Sequence, residues 1–472
     1  GKKVVLKAQT MQKIVRDDQP ESIAISDTVG GKLTAIPEDN TAAGDDWNMA
    51  FTDHHDSEDV TDDTRTPHQI KDLDKFNPNL KRMDLTNLDL SQVHTINGML
   101  AGAENCETFG DLSKWDTSNI TDMGFLFAND PKVETLGYLS GWKTNKNTNF
   151  NSIFEDDTNI TNLSDLSDWD VSNGTNFAYL FANMRSLSNL GDLSKWNMGN
   201  ATRINDMFQE DRALPSVGDL SNWNTHNVTN MVGLFNNATN LVNVGNLDNW
   251  DVSHVTDAHG LFAGAASLAN VGKLDNWNVS NIKDANGMFH GALKLTSVGD
   301  LSKWNTSNME DMHEMFNLTG IKQLNISNWD FSKLKDPDNL NGTLDGQNEH
   351  IYDGSFLGNN PAQVILANNL KGVPEGIKAS AFNSQLGKQV VLTDNPTLLK
   401  LNDRTLPNQL QLQVKNGDRV DLLSKPNSQT FYQSNGQGFD HAGANVYNGL
   451  KSELSFEAGH LSTKDLTIDH FE

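Results

Sequence analysis

Tryptophan recurs every 27 residues through the middle of this 472-residue chain, and no other feature limits the possible folds as strongly. The repeating tryptophans are Trp115, Trp142, Trp169, Trp196, Trp223, Trp250, Trp277 and Trp304, and Trp329 follows after 25 residues. A phenylalanine follows twelve residues later, at Phe127, Phe154, Phe181, Phe208, Phe235, Phe262, Phe289 and Phe316. A strict period of this length predicts a solenoid, in which stacked repeats share one core.

Each repeat also carries smaller apolar residues at fixed positions. In the copy that reaches Trp250 these are Leu241, Val244 and Leu247, whereas the residues between them vary from copy to copy. A unit of 27 residues is too short to close a core, so neighbouring repeats must bury these positions together. We therefore interpret the tryptophans and phenylalanines as a buried internal ladder. An exposed aromatic stripe that stacks on ligands is the alternative.

The two halves of the repeat predict different local structures. The leucine-spaced half predicts a short strand, and successive strands would align in a parallel sheet about 5 Å apart. The half that begins at Thr256 predicts a short helix, because threonine can cap a helix and Asp257 in the first turn suits its dipole. The fold class predicted is α/β, a right-handed leucine-rich-repeat solenoid with strands on one face and helices on the other. Counting a first copy with Leu88 in place of tryptophan, it has ten coils of about 25–27 residues.

The first and last repeats divide the chain into three predicted segments. Residues 1–76 are predicted to form an N-terminal cap and acidic linker, residues 77–345 the solenoid, and residues 346–472 a β-rich C-terminal cap or small accessory domain. Outside the repeats, strands are predicted at residues 4–6, 22–25, 364–366, 390–392 and 410–414.

Charge and cysteine content exclude several classes of protein. The 62 acidic and 36 basic residues give a net charge of −26, which argues against nucleic acid as a partner and fits a secreted protein. The single cysteine, Cys106, excludes a disulfide within the chain, and we interpret it as a core residue. No signal peptide, transmembrane segment or anchoring motif is recognisable. We therefore expect no membrane insertion, and expect that the targeting and anchoring segments were removed from a chain that starts at Gly1.

The chain carries no motif typical of enzymes, so we expect no catalytic residue, no cofactor and no metal. The best local candidate for a metal is Asp53-His54-His55-Asp56, because imidazole and carboxylate both ligate zinc. A solvated acidic loop is the favoured interpretation of that segment.

Asn-x-Thr triplets, the pattern of N-glycosylation sites, occur at Asn119, Asn173, Asn200, Asn227 and Asn237. Turn and cap chemistry explains the repeated ones without glycans.

Repetition also arranges acidic residues in columns. Aspartates recur four residues before tryptophan and directly after it, as at Asp165 and Asp170 around Trp169. Stacked carboxylates would raise one another's pKa, which suggests a cation site or a pH-responsive surface, with a plain solvated face as the alternative. At about pH 4, with roughly half of the carboxyl groups neutral and all 13 histidines charged, the net charge becomes about +18.

One repeated run carries a family likeness. The pattern Leu-Ser-x-Trp-Asp/Asn-x-Ser-Asn-x-Thr-Asp-x-x-x-Leu/Met-Phe occurs at residues 112–127 and, with Glu310 in place of threonine, at residues 301–316. It resembles the BspA-like leucine-rich-repeat surface proteins of Gram-positive gut and mucosal bacteria, especially lactobacilli. The resemblance covers residues 80–340 and weakens at Lys146, which replaces the usual asparagine.

The resemblance implies an exported, wall-attached adhesin that binds host mucin, a glycosaminoglycan or an extracellular-matrix protein, and it implies no catalytic residues. We expect a monomer. A structural wall-coat or bacterial aggregation protein is the first alternative, and an enzyme with its site in residues 346–472 the second. Solenoids commonly bind on their extended sheet face. The variable residues there are Asp111, Lys114, Tyr138, Asp165, Asp168, Asp192, Lys195, Asp219, Lys273, Asp300 and Lys303.

Overall fold

The computed structural model describes the repeats almost without a gap. Described are residues 4–5, 8–25, 33–34, 77–321, 323–336, 338–341, 356, 364–366 and 370–372, with further strand residues between 391 and 468. The chain forms two compact units, an N-terminal unit of Gly1–Val244 and a C-terminal unit of Gly245–Glu472. This division falls inside the tryptophan period, so the boundaries after residues 76 and 345 stay predictions.

The N-terminal unit contains few regular elements. They are strand β1 (Val4–Val5), helix α1 (Ala8–Lys13) followed by a π-helix (Ile14–Asp18), β2 (Ser22–Ala24), β3 (Leu33–Thr34), β4 (Arg82–Asp84) and a 3₁₀-helix (Leu139–Gly141). The strands predicted near residues 4 and 22 are therefore present. Strand β1 pairs in parallel with β3, and β2 pairs in parallel with β4. The segment before the repeats thus supplies a strand that covers the edge of the first repeat.

Within this unit, consecutive repeats are joined by parallel backbone pairs at one-repeat intervals. One series links Thr95, Asp122, Asn149, Asn176, Arg203 and Asn230, and single pairs link Asn162 with Asn189 and Ser216 with Asn243. The pairs occur in both halves of the repeat. The Phe127 amide, for example, donates to the Ile153 carbonyl at 2.9 Å, and the Phe154 amide donates to the Leu180 carbonyl at 3.1 Å.

The aromatic ladder is buried, as the sequence predicts. In the N-terminal unit Trp142 and Trp169 stack with centroids 6.2 Å apart, and Trp169 and Trp196 at 6.4 Å, with interplanar angles of 2° and 1°. Each indole also donates a hydrogen bond to the previous repeat. Trp196 Nε1 lies 2.9 Å from the Leu166 carbonyl oxygen, and Trp169 Nε1 lies 2.8 Å from that of Leu139. This donor explains why tryptophan, and not phenylalanine, recurs here, since phenylalanine has no N–H group.

The C-terminal unit has an aromatic ladder of its own. Trp277, Trp304 and Trp329 stack in sequence, and Phe262, Phe289 and Phe316 do the same. The indole nitrogens again donate to leucine carbonyls, as from Trp304 Nε1 to Leu274 at 2.8 Å.

The named helices and strands of this unit begin in the last repeat, which contains Trp329. They are β5 (Gln323–Asn325), helix α2 (Asp338–Asn341), β6 (Val364–Leu366), β7 (Val391–Thr393), β8 (Leu399–Leu401), β9 (Arg404–Leu406), β10 (Leu412–Gln413), β11 (Arg419–Leu422), β12 (Phe431–Ser434), β13 (Phe439–Ala442) and β14 (Thr467–Ile468). The strands predicted at residues 364–366, 390–392 and 410–414 correspond to β6, β7 and β10. No described helix is long and apolar enough to cross a membrane.

These strands form three sheets. Strands β5, β6 and β7 form a parallel sheet in which Leu324 is the register partner of Ile365 and Ile365 that of Leu392. Ile365 and Leu392 are again 27 residues apart, so parallel pairing at the repeat interval extends past residue 345. Strands β9, β8, β11, β12 and β13 form an antiparallel sheet in that order, and β10 pairs with β14.

The short helices expected in the second half of each repeat are absent from the described repeats. Asp257 instead forms a parallel bridge with Asp284, and the Gly260 and Phe262 amides donate to carbonyls of the next repeat at 2.7 and 2.8 Å. These amides therefore cannot form the i to i−4 bonds of a helix. A left-handed residue at the same position of successive repeats, such as Ser152 or Tyr179, also interrupts helical geometry.

Gly218 provides a test of how closely the repeats approach. Its φ is +92°, and an added Cβ would clash with Asp192 Oδ1 and lie 3.1 Å from the Leu193 amide nitrogen. We expect Gly218→Ala to destabilise the chain by about 1–2 kcal/mol from the left-handed backbone alone. Gly141→Ala is the matched control, because a Cβ there meets nothing within 4 Å. Equal melting temperatures for the two variants would contradict this account.

Candidate functional site

All eleven residues of the predicted binding surface have exposed side chains. In the N-terminal unit they lie four residues before tryptophan (Asp111, Tyr138, Asp165, Asp192 and Asp219) or directly before it (Lys114, Asp168 and Lys195). In the C-terminal unit Lys273 and Asp300 occupy the first position and Lys303 the second. Tyr138 is 74 % exposed, the most exposed of the large hydrophobic residues described. We call these eleven residues the variable surface.

Aspartates of the variable surface also form turns. Asp165 Oδ1 accepts the Ser167 backbone amide at 2.9 Å, and Asp111 and Asp219 accept those of Ser113 and Ser221. Hydrogen bonds from serine lower the pKa of Asp111, Asp165 and Asp219. The expectation that stacking raises the pKa of this column is therefore wrong for these three residues. At an exposed position a donated hydrogen bond outweighs solvent-screened repulsion between carboxylates.

The asparagines of the repeated Asn-x-Thr triplets tie one repeat to the previous one. Asn119 Nδ2 donates to the Ser91 carbonyl at 2.6 Å, and Asn200 and Asn227 make the equivalent bonds at 2.7 Å. Lys146, which interrupts the motif, donates instead to Asn119 Oδ1 at 3.0 Å. These amide nitrogens therefore link neighbouring repeats, in agreement with the interpretation that the triplets arise from repeat structure.

Sequence reasoning missed a set of buried carboxyl groups in the N-terminal unit. Asp130, Asp157 and Asp211 all lie fifteen residues after a tryptophan. One oxygen of each accepts a backbone amide from the previous repeat, as Asp157 Oδ1 accepts that of Asp130 at 3.0 Å. The other oxygen is buried without a hydrogen-bond partner. Burial is the main cause that raises the pKa of all three carboxyl groups well above its usual value. The shared interval was visible in the sequence, but their burial was not.

In the C-terminal unit a different column brings acidic residues into register. Asp257, Asp284 and Asp311 form successive parallel bridges. Oδ1 of each accepts the backbone amide two residues on, from His259 at 3.1 Å, Asn286 at 2.9 Å and His313 at 2.8 Å. At the same interval the N-terminal unit has Asp122, Asn149, Asn176, Arg203 and Asn230. There Asn149 Nδ2 donates a hydrogen bond to Asp122 Oδ1 at 3.1 Å, so an amide and not a second carboxylate lies beside Asp122.

His259 lies between two carboxylates of this column. Its Nδ1 is 2.7 Å from Asp257 Oδ1 and 3.5 Å from Asp284 Oδ2, and all three side chains are partly exposed. Burial is the first cause that raises the pKa of Asp284, and the charges of Asp257 and Asp311 add to it. Among the described residues these three side chains are the one group whose ligand atoms lie close enough to hold a metal ion, all within 4.8 Å. The Asp53–Asp56 candidate lies outside the described residues.

A second acid–histidine group follows in the same unit. His290 Nε2 lies 3.4 Å from Glu314 Oε2, and His313 Nε2 lies 3.3 Å from Glu314 Oε1. The hydrogen bond from His313 is the main cause that lowers the pKa of Glu314, and the charges of both histidines act in the same direction. Nothing in the sequence pattern indicated that these three residues meet.

Comparison with known proteins places the repeats in a family. Four overlapping stretches, residues 68–189, 95–217, 157–267 and 240–352, match the family model described as "Mycoplasma protein of unknown function, DUF285". Together they span more than half of the chain. No curated protein matches it.

The buried carboxyl groups predict how stability depends on pH. Below the unfolded pKa of about 3.9 Asp157 is protonated in both states. Above it the unfolded chain ionises while the folded chain keeps the proton, so stability falls until the pH passes the raised folded pKa. We expect Asp157→Asn to lose less stability than the unmodified chain between pH 4 and 7, as measured by melting temperature.

Asp165→Asn is the matched control with the opposite sign. The pKa of Asp165 is lowered, so its contribution is present above the unfolded pKa and is lost as the pH falls. This variant should lose stability at pH 7 relative to the unmodified chain, by a small amount because the carboxyl is exposed. If the two variants changed the pH profile in the same direction, the account of the buried carboxyl groups would be wrong.

Proposed function

We propose, from the premise that the chain belongs to the DUF285 family of repeat proteins, that it is a bacterial cell-surface adhesin. It resembles the BspA-like proteins, acts outside the cell at the wall, and binds host mucin, a glycosaminoglycan or an extracellular-matrix protein. In this proposal its repeats stack as a right-handed leucine-rich-repeat solenoid and the protein is a monomer. Parallel bridges and aromatic stacks at one-repeat intervals support the stacking.

One observation carries the proposal. The residues that recur without change serve the frame: tryptophan and phenylalanine lie in the core, and asparagines such as Asn200 bind the neighbouring repeat. Within the variable surface the side chains that differ between copies, such as Tyr138 and Lys273 in place of aspartate, are exposed. A frame that keeps its shape while its exposed side chains vary suits recognition of an extended partner, because a row of contacts can engage a polymer along its length.

Charge sets the expected direction of pH dependence. At pH 7 the net charge of −26 repels polyanions such as sulfated or sialylated glycans. In acid, carboxyl groups become neutral and histidines become charged, so the balance reverses. Asp111, Asp165 and Asp219 hold their charge further into acid than ordinary carboxyl groups, so the variable surface keeps part of its negative charge at pH 4. The exposed lysines then supply the local attraction.

Retention of the full chain on heparin and mucin surfaces tests this proposal. We expect stronger retention at pH 4 than at pH 7. The double variant Lys114→Glu/Lys195→Glu should weaken binding at pH 4 by about tenfold, which corresponds to about 1.4 kcal/mol. Lys132→Glu/Arg185→Glu changes the net charge equally at exposed residues outside the variable surface, and should have a much smaller effect.

Three outcomes would count against the proposal. Equal or weaker retention at pH 4 would remove the acid dependence. Equal losses in the two double variants would show that only net charge matters and that the variable surface is no binding site. Self-association without binding to any glycan or matrix protein would favour the structural wall-coat protein instead.

A further inference from the structure

The aspartate column of the C-terminal unit places three carboxylates at one bridged repeat position, where the N-terminal unit has mostly amides. Asp257, Asp284 and Asp311 are direct parallel neighbours, and like charges in register destabilise a sheet. In the N-terminal unit amides and Arg203 occupy this repeat position after Asp122. Among the described residues no lysine or arginine forms an ion pair with Asp257 or Asp284. The column therefore has a local negative charge that a bound cation would neutralise.

His259 gives this column a metal ligand as well as charge. Oδ1 of Asp257 and Oδ1 of Asp284 each accept a backbone amide, which orients the two carboxylates. Asp284 Oδ2 faces His259 Nδ1, and that nitrogen lies within hydrogen-bond distance of Asp257 Oδ1. Two carboxylate groups from successive repeats and one imidazole thus converge, with their ligand atoms within 4.8 Å of one another.

We propose that Asp257, His259 and Asp284 bind a divalent transition-metal ion of the zinc class. An imidazole nitrogen with two carboxylate oxygens suits Zn²⁺, whereas Ca²⁺ takes six to eight oxygen ligands. Three protein ligands leave a coordination position for water or for an anionic group of a partner. The side chains are partly exposed, so an ion can enter from solvent. Asp311, the next carboxylate in the column, adds attraction without being a ligand.

Zinc-dependent thermal stability of the full chain tests this site, because an ion that binds only the folded state raises the melting temperature. We expect Zn²⁺ to raise the melting temperature of the unmodified chain at pH 7.5. His259→Ala and Asp284→Asn should each weaken binding at least about tenfold and abolish that increase. Asparagine occupies the equivalent position at Asn149, Asn176 and Asn230, so Asp284→Asn is compatible with the fold. His313→Ala, which alters a histidine paired with Glu314, should keep the increase.

Direct measurement of bound zinc by equilibrium dialysis separates this site from any other on the chain. The unmodified chain should bind one ion more than His259→Ala does, and addition of Co²⁺ should give a visible absorption band that the same variant lacks. An equal zinc content in the two proteins would overturn the proposal. So would a zinc-induced rise in melting temperature that survives Asp284→Asn, or Ca²⁺ binding at this column that survives His259→Ala.

Discussion

The bond from each tryptophan to the previous repeat is the contact on which the rest of the structure depends. Trp196 buries its ring against Trp169 and donates its indole N–H to the Leu166 carbonyl. Removing about 150–250 Å² of aromatic surface from water contributes about 4–6 kcal/mol per ring before entropy losses. The hydrogen bond adds direction, since it is made only when neighbouring repeats are correctly aligned. Burial and alignment together make a 27-residue period a stable structural unit.

That alignment explains why polar side chains have such different environments at neighbouring positions of the repeat. Asp165 lies at an exposed turn, where a serine amide stabilises its charge. Asp157 points into the core, where one oxygen binds the previous repeat and the other has no hydrogen-bond partner. The same residue type therefore has its pKa lowered in one place and raised in the other. Position within the repeat, and not the density of acidic residues, decides how each carboxyl group responds to pH.

Some features of the chain follow from its pattern because they depend on burial alone. The aromatic ladder could be predicted, since Trp and Phe recur at positions that only a shared core can bury. The helix predicted after Thr256 is absent, because threonine and Asp257 suit a turn beside a parallel bridge as well as they suit a helix N-terminus. Local signals for a helix N-terminus were present, but backbone bonds to the next repeat took up the amides that a helix needs.

The amino-acid sequence alone determined the repeat period, the core residues and the strands outside the repeats, because these depend on the spacing of hydrophobic residues. It also determined the excess of acidic residues, which depends on composition alone. The convergence of Asp257, His259 and Asp284 was not determined in this way, because it joins side chains from two repeats and requires the side chains to face one another. The pairing of His290 with Glu314 has the same origin. The spacing of residues predicts which of them lie in the same column. Side-chain direction and burial, which only the tertiary structure determines, decide whether the carboxylates of that column repel one another, change their pKa or bind an ion.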